Sequence, residues 1–219
     1  MVFRKPWRSA ALTPSNKSTR NIRRSQRVLV FGEHENDTKL IQELLIALCP
    51  DLEGKVRAFR KPPILVRDCH VDQIPDRIDV ICRLIDAEHA INDVICVFAH
   101  EDCDAIHPAH VEVTRKIEAS FADLGYHVHA VTPAWETESW LFLWPSAIAD
   151  YRPSWRSIDK YIGRDVGRIH NAKEELRRAL RPPGKAVQHR EYRESDAPLI
   201  AKKVRELRLA DSPQARSAS

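Results

Sequence analysis

Carboxylates follow three apolar runs of this chain, and their positions suggest metal chemistry. The runs are residues 27–31, 93–99 and 126–131. The acids that come after them are Glu33, Asp102, Asp104, Glu136 and Glu138. If the runs are parallel strands, their carboxyl ends meet at one edge of a sheet, where ligands bind. Carboxylates held close together repel each other, and a hard divalent cation such as Mg²⁺ or Mn²⁺ relieves that repulsion by taking oxygen ligands.

The spacing of these acids suggests separate roles. Asp102 and Asp104 are two residues apart, so in extended backbone their side chains would point the same way and could share a metal ion. Glu136 and Glu138 could bind a second metal ion, or Glu138 could begin the next helix, where the helix dipole favours an acid. Asp37 is predicted to cap the helix that follows Glu33.

The elements that would position these acids alternate along the chain. Apolar, β-branched runs predict strands at residues 27–31, 55–59, 64–66, 93–99 and 126–131. Helical spacing of apolar residues predicts helices at residues 37–48, 75–90 and 108–124, the last of them ended by Gly125. This alternation predicts an α/β fold with a doubly wound, mainly parallel, Rossmann-like sheet.

The chain divides into four regions by composition. We expect a disordered basic arm at residues 1–26, a main α/β domain at 27–150, a helical extension at 151–210 and a frayed tail at 211–219. The aromatic-rich segment 140–148 is predicted to be helical until Pro145. The helices expected in the extension cover residues 166–181 and 198–209.

The composition favours the reducing cytoplasm. The five cysteines are odd in number and contain no CxxC pair, which is not the pattern of a disulfide framework. The chain has no apolar stretch long enough to span a membrane and no apolar core of a secretion signal at its start. The acid-free, Arg- and Ser-rich start also has some character of an organelle transit peptide, although a basic arm is the preferred interpretation.

Charge is distributed unevenly, which suggests a polyanionic partner. Residues 1–27 hold eight of the 35 basic residues and none of the 31 acidic ones. Nucleic acid is the expected partner, and its contacts are predicted at His34, His100, Arg164, Arg168 and Lys185. The alternative is that the arm and the basic helix are simply solvated. Trp135, Trp140 and Trp144 could stack on bases, but core packing is the preferred interpretation.

At these residues the sequence resembles the Toprim domain of topoisomerases, bacterial primases and overcoming-lysogenization-defect nucleases. The first motif is VLVFGEHEND at residues 28–37, and the second is VICVFAHEDCD at residues 94–104. The segment ETESWLFLW at residues 136–144 is similar to the acidic-aromatic segment of compact Toprim-like proteins from bacterial defence loci. The resemblance covers roughly residues 27–145.

The resemblance implies a Mg²⁺- or Mn²⁺-dependent endonuclease that hydrolyses DNA or RNA in anti-phage defence. Glu33 would then be the general acid or base, and Asp102 and Asp104 would hold the metal ion. An ATPase partner would have to be another chain, because this one has no GxxxxGK[ST] phosphate loop. An oligomer is also possible.

Two other functions remain open from the sequence. Toprim proteins usually have glycine directly after the glutamate, whereas this chain has His34, which favours a non-catalytic module that binds nucleic acid or a protein partner. The spacing of Cys96, His100, Cys103, His107 and His110 invites a zinc-binding alternative, although it is not a familiar zinc-finger pattern.

Overall fold

The protein is described by a computed structural model that covers residues 24–181 and 190–217. The fold is built on a sheet of four parallel strands in the order β2-β1-β3-β4. The strands are β1 (Gln26–Phe31), β2 (Val56–Ala58), β3 (Asp93–His100) and β4 (Val128–Val131). Helices cover both faces, so the predicted doubly wound α/β fold is confirmed.

Among the described residues, three α-helices connect the strands and four follow the sheet. The connecting helices are α1 (Glu35–Leu48), α2 (Ile74–Ile91) and α3 (His110–Phe121). The later helices are α4 (Glu138–Leu141), α5 (Pro145–Tyr151), α6 (Ala172–Leu180) and α7 (Ala197–Glu206). No helix in the described part of the chain is long and apolar enough to cross a membrane.

The central strand β1 is buried on both sides because its side chains alternate between two cores. Leu29 and Phe31 pack in the core beneath α2 and α3. Val28 and Val30 point the other way, into a core shared with α1 and the helices after β4. This double burial explains why the strand reads as a continuous apolar run in the sequence.

The strand order creates a crevice between β1 and β3. After β1 the chain passes through α1 to β2 on one side, whereas α2 returns it across the sheet to β3 on the other side. The loops that leave the carboxyl ends of β1 and β3 therefore run in opposite directions. In open α/β sheets, this switch point is the usual place for a ligand.

The helices after β4 are part of the same packed body as α1. Trp155, Leu176 and Ile200 are buried in one cluster with Leu40 of α1. Pro145 begins α5 instead of ending a helix, because proline fits the first helical turn, where its missing N–H is not needed. The expected basic helix over 166–181 is shorter, with a 3₁₀ turn at Val166–Arg168 ahead of α6.

Three segments differ from the sequence expectations. Residues 64–66 are not a strand, although Ile64 and Val66 are fully buried. Residues 24–26 belong to the fold, and the Ser25 hydroxyl donates a 2.6 Å hydrogen bond to the Asn92 side chain. Residues 211–217 are packed instead of frayed: Ala215 is buried, and the Arg216 carbonyl accepts a 2.8 Å bond from the backbone N–H of residue 166. The rest of the expected arm and tail lies outside the described residues.

Candidate functional site

The loop after β1 places Glu33 against the loop after β3. The backbone N–H of Asp102 donates a 3.2 Å hydrogen bond to Oε1 of Glu33, so the two acids face each other across the switch point. Gly32 makes this approach possible. A Cβ there would lie 2.9 Å from Cγ2 of Thr38 and 3.0 Å from Nδ1 of His100, which is closer than side chains tolerate.

Asp37 belongs to this site, and the predicted capping role is wrong. Helix α1 begins at Glu35, His34 occupies the N-cap position, and no side chain caps the helix. Asp37 lies in the first turn and accepts a 2.8 Å hydrogen bond from the Thr137 hydroxyl. The sequence signal for this placement is the acid that comes four residues after Glu33 in the first motif, VLVFGEHEND.

The loop after β3 carries Asp102 above a buried histidine. His100 ends β3, is fully buried, and lies with its Nε2 atom 3.1 Å from Oδ1 of Asp102. A side chain with no exposed surface does not contact a nucleic acid directly. His100 therefore orients Asp102 from behind, which differs from its expected role as a nucleic-acid contact.

Asp102 and Asp104 do not share a direction, contrary to the expectation from their spacing. Strand β3 ends at His100, and Asp104 has a φ of 52°, so the backbone between the two acids is not extended. The side chain of Asp104 is 61% exposed, and its Oδ2 atom lies 2.7 Å from Nη1 of Arg67. Backbone bonds of 2.9 and 2.8 Å connect this turn to Trp135, which also has a positive φ of 69°.

Glu136 and Glu138 are both buried in the loop after β4. Oε1 of Glu136 accepts a 2.5 Å hydrogen bond from the backbone N–H of Lys173, at the start of α6. Glu138 begins α4, as one of the two sequence interpretations proposed, and its Oε1 accepts a 3.2 Å bond from the Tyr192 hydroxyl. Glu136 is therefore held by the start of α6, whereas Glu138 is held by Tyr192 and also interacts with the charges of neighbouring acids.

Burial and mutual repulsion raise the pKa of these carboxyl groups. Burial and then the charge of Asp102 raise the pKa of Glu33 to about 7. Burial and then the charges of Glu136 and Asp37 raise the pKa of Glu138 to about 7. Burial also raises the pKa of Asp37 and of Glu136 above their ordinary values. We call the set Glu33, Asp37, Asp102, Glu136 and Glu138 the acidic cluster.

His100 is the basic group inside this cluster. Burial by itself would lower the pKa of His100, but the hydrogen bond and charge of Asp102 raise it above its ordinary value. The charges of Asp37 and Glu33 act in the same direction. A protonated His100 therefore offsets part of the negative charge from beneath the cluster.

Glu101 points away from the cluster and holds a different loop. Its two carboxylate oxygens accept 2.8 Å hydrogen bonds from the backbone N–H groups of Val66 and Arg67. This buried acid fixes the segment after β2 against the end of β3. Glu101 thus has a structural role, whereas Glu33 and Asp102 lie at the crevice.

The predicted nucleic-acid contacts belong to different segments of the fold. His34 is exposed beside Asp37, and Arg168 is exposed in a segment whose Gly167 carbonyl accepts a bond from the backbone N–H of residue 107. Arg164 is exposed and lies beside the C-terminal segment, where its carbonyl accepts a 2.9 Å bond from the N–H of residue 216. Lys185 lies outside the described residues.

The acidic cluster fits a hard divalent cation by its donor chemistry. It offers carboxylate oxygens whose pKa values are raised first by burial and then by neighbouring negative charges, and a bound cation would favour their ionised form. Within residues 24–181 and 190–217, no three His, Cys, Asp or Glu side chains converge closely enough to hold a metal ion in the geometry they have here. Asp104 is paired with Arg67 and Glu136 with Lys173, which leaves Glu33, Asp37, Asp102 and Glu138 as the available ligands.

Trp144 and the cysteines bear on two of the sequence predictions. Trp144 is buried, and its indole N–H donates a 2.8 Å bond to the Leu209 carbonyl, so core packing is confirmed for it. All five cysteines are free thiols. The zinc-binding alternative finds no convergent set of ligands among the described residues.

Comparisons with protein-family models, with curated proteins and with solved structures find no match to this chain. The resemblance to Toprim domains therefore remains a prediction, and the function must be argued from the site itself.

Proposed function

We propose that this protein is a Mg²⁺- or Mn²⁺-dependent endonuclease that hydrolyses phosphodiester bonds in DNA or RNA. The observation that carries the proposal is the pairing of Glu33 with Asp102 across the switch point of the sheet. Glu33 has a pKa raised to about 7 there, and the charge of Asp102 also acts on three further acids of the cluster. Groups with such shifted pKa values, gathered in a crevice, are typical of catalytic sites.

Each side chain has a role that follows from its surroundings. Glu33 is half-protonated near neutral pH, so it can take a proton from an attacking water molecule or give one to the leaving oxygen. The bond from the Asp102 N–H fixes the orientation of that carboxyl group. One or two of Asp37, Asp102 and Glu138, the number of carboxylates that Mg²⁺ commonly takes from a protein, would hold the metal ion, which would stabilise the charge that develops on the phosphate.

Local backbone strain also supports a site at this edge. Asp104 and Trp135 both have positive φ values and are hydrogen-bonded to one another through the backbone. Such conformations cost about 1–3 kcal/mol each in non-glycine residues and are concentrated at functional sites. The two loops therefore keep a backbone conformation that costs stability, as loops at functional sites often do.

The proposed location and partner rest on the cysteines and on the resemblance to Toprim proteins. The five free thiols suit the reducing cytoplasm, which we propose as the location. A role in anti-phage defence, with a separate ATPase that controls cleavage, rests on the resemblance to defence-locus Toprim proteins alone.

A second candidate is a non-catalytic module that binds nucleic acid or a protein partner. The specific observation in its favour is that Asp104 is paired with Arg67 and that the described acids do not converge on one point. The presence of His34 after Glu33, where Toprim domains usually have glycine, points the same way.

Nuclease assays with purified protein distinguish the two candidates. Plasmid, single-stranded DNA and tRNA are incubated with Mg²⁺, with Mn²⁺ or with EDTA. We expect metal-dependent cleavage that is lost in Glu33→Gln and Asp102→Asn and retained in Glu112→Gln, an exposed control on α3. Binding without cleavage by the native protein would support the second candidate, and cleavage that survives both substitutions would refute the assigned site.

A further inference from the structure

Arg67 brings a positive charge to the rim of the acidic cluster. Its Nη1 atom lies 2.6 Å from the carbonyl oxygen of Asp102 and 2.7 Å from Oδ2 of Asp104. Its Nε and Nη2 atoms lie 3.1 and 3.0 Å from Oδ2 of Asp68. The guanidinium group therefore lies directly beside the loop that carries Asp102.

The position of Arg67 is fixed by two buried or half-buried side chains. Glu101 accepts hydrogen bonds from the N–H groups of Val66 and Arg67, and it is only 2% exposed. Lys116 of α3 donates bonds of 2.6 and 2.7 Å to the carbonyl oxygens of Arg67 and Cys69. Arg67 lies in a turn, outside any strand or helix, so these contacts from Glu101 and Lys116 hold its backbone in place.

The two carboxylates that pair with Arg67 are held weakly. The side chains of Asp68 and Asp104 are 82% and 61% exposed, whereas that of Arg67 is 23% exposed. Exposed ion pairs contribute little to stability, because water screens them and both side chains lose freedom. An incoming anion can therefore replace either carboxylate at small cost, while the arginine stays in place.

We propose that Arg67 is a phosphate-binding residue of this site, and that a nucleic-acid phosphate replaces the carboxylate of Asp104 on its guanidinium group. Guanidinium presents a planar fork of donors that matches phosphate oxygens, which a point charge does not. The exchange also releases Asp104 toward the crevice. This inference rests on the proposed nucleic-acid function but not on cleavage.

The test is a binding titration with fluorescent single-stranded and duplex oligonucleotides of DNA and RNA. It uses the full chain in the Glu33→Gln background with Mg²⁺, so that the probe stays intact. Arg67→Ala and Arg67→Lys are compared with Arg83→Ala, which removes one equal charge from a 75% exposed position on α2. Each titration is repeated over a range of salt concentrations, and thermal melting checks that each variant is folded.

We expect Arg67→Ala to weaken binding by about tenfold or more, since a charge-assisted phosphate contact is lost. The slope of log K against log salt should fall by about one, because one fewer phosphate is neutralised. Arg67→Lys should retain the salt slope but bind more weakly than the parent, and Arg83→Ala should bind like the parent. Equal binding by Arg67→Ala and its parent would overturn the proposal.

A double variant separates direct contact from simple neutralisation of Asp104. If Arg67 only offsets that charge, Arg67→Ala combined with Asp104→Asn would bind as well as Asp104→Asn alone, which would refute a phosphate contact. If Arg67 holds a phosphate, the double variant stays weaker. Should the native protein bind nucleic acid through Arg67 but cleave nothing, the inference stands while the proposed catalysis fails. If the folded parent binds no nucleic acid at all, the proposal that Arg67 binds phosphate is overturned.

Discussion

Replacement of Glu138 by glutamine should stabilise the protein at alkaline pH. Glu138 is 5% exposed, and burial with the nearby charges of Glu136 and Asp37 raises its pKa from an ordinary value of 4.5 to about 7. Such a rise corresponds to about 3 kcal/mol of free energy, at about 1.4 kcal/mol per pH unit. Glutamine has nearly the same shape and can still accept the bond from Tyr192, but it carries no charge to repel its neighbours.

The sign of the pH dependence follows from proton binding. Because the folded protein holds the proton of Glu138 more tightly than the unfolded chain, its contribution to stability is complete below about pH 4.5 and is lost as the pH rises through about 7. The glutamine variant has no such loss at this position. The difference in unfolding free energy between the variant and the parent should therefore grow from near zero at pH 4.5 to about 2–3 kcal/mol at pH 8.

Urea unfolding at several pH values between 4.5 and 8 measures this difference. Glu112→Gln is the matched control, since Glu112 is an exposed glutamate on α3, and it should show no growing difference over the same range. A constant difference at every pH, or a variant that is less stable at pH 8, would refute the conclusion that burial and neighbouring charges raise the pKa of Glu138.

Three further predictions concern the cluster and the core. Mg²⁺ or Mn²⁺ at about one hundred times its dissociation constant should stabilise the protein by about 2.7 kcal/mol in thermal or urea unfolding, and Asp102→Asn should remove most of that effect. Gly32→Ala should destabilise the protein by about 1–3 kcal/mol in urea, because the added Cβ would lie 2.9 Å from Cγ2 of Thr38. Asp196→Ala should cost about 1–3 kcal/mol, since this fully buried carboxylate accepts a 2.6 Å bond from the Tyr151 hydroxyl, which would lose its partner, and pairs with the partly exposed Arg190 at 2.7 Å. A metal response unchanged in Asp102→Asn, or either core variant with native stability, would contradict the corresponding structural reasoning.

The acids nearest to the strands were the ones that the sequence placed best. Glu33 follows β1 and Asp102 follows β3, and both lie in the crevice because parallel neighbours end at the same edge. Asp104 was misplaced because the prediction assumed extended backbone after the strand. The structure instead turns there with a positive φ, and the turn is held by backbone bonds to a loop that lies 31 residues further on.

The residues that were assigned incorrectly or missed depend on contacts between distant segments. The local sequence predicts Asp37 as a helix cap, yet the partner of its side chain is Thr137, one hundred residues away. Arg67 comes from an irregular segment without periodicity, so no pattern marks it. Its position depends on Glu101 and Lys116, which belong to later elements of the chain.

By itself, the sequence determined the segments that form the parallel sheet, with residues 64–66 predicted in excess, and which acids follow its strands, because hydrophobic periodicity and the order of segments along the chain are local properties. The tertiary structure decided which of those acids face one another, which are neutralised by Arg67 or Lys173, and which are buried enough to keep a proton near neutral pH. These properties depend on distance and on exclusion of water. Both are set by packing between segments that are far apart in the chain, and no local pattern encodes them.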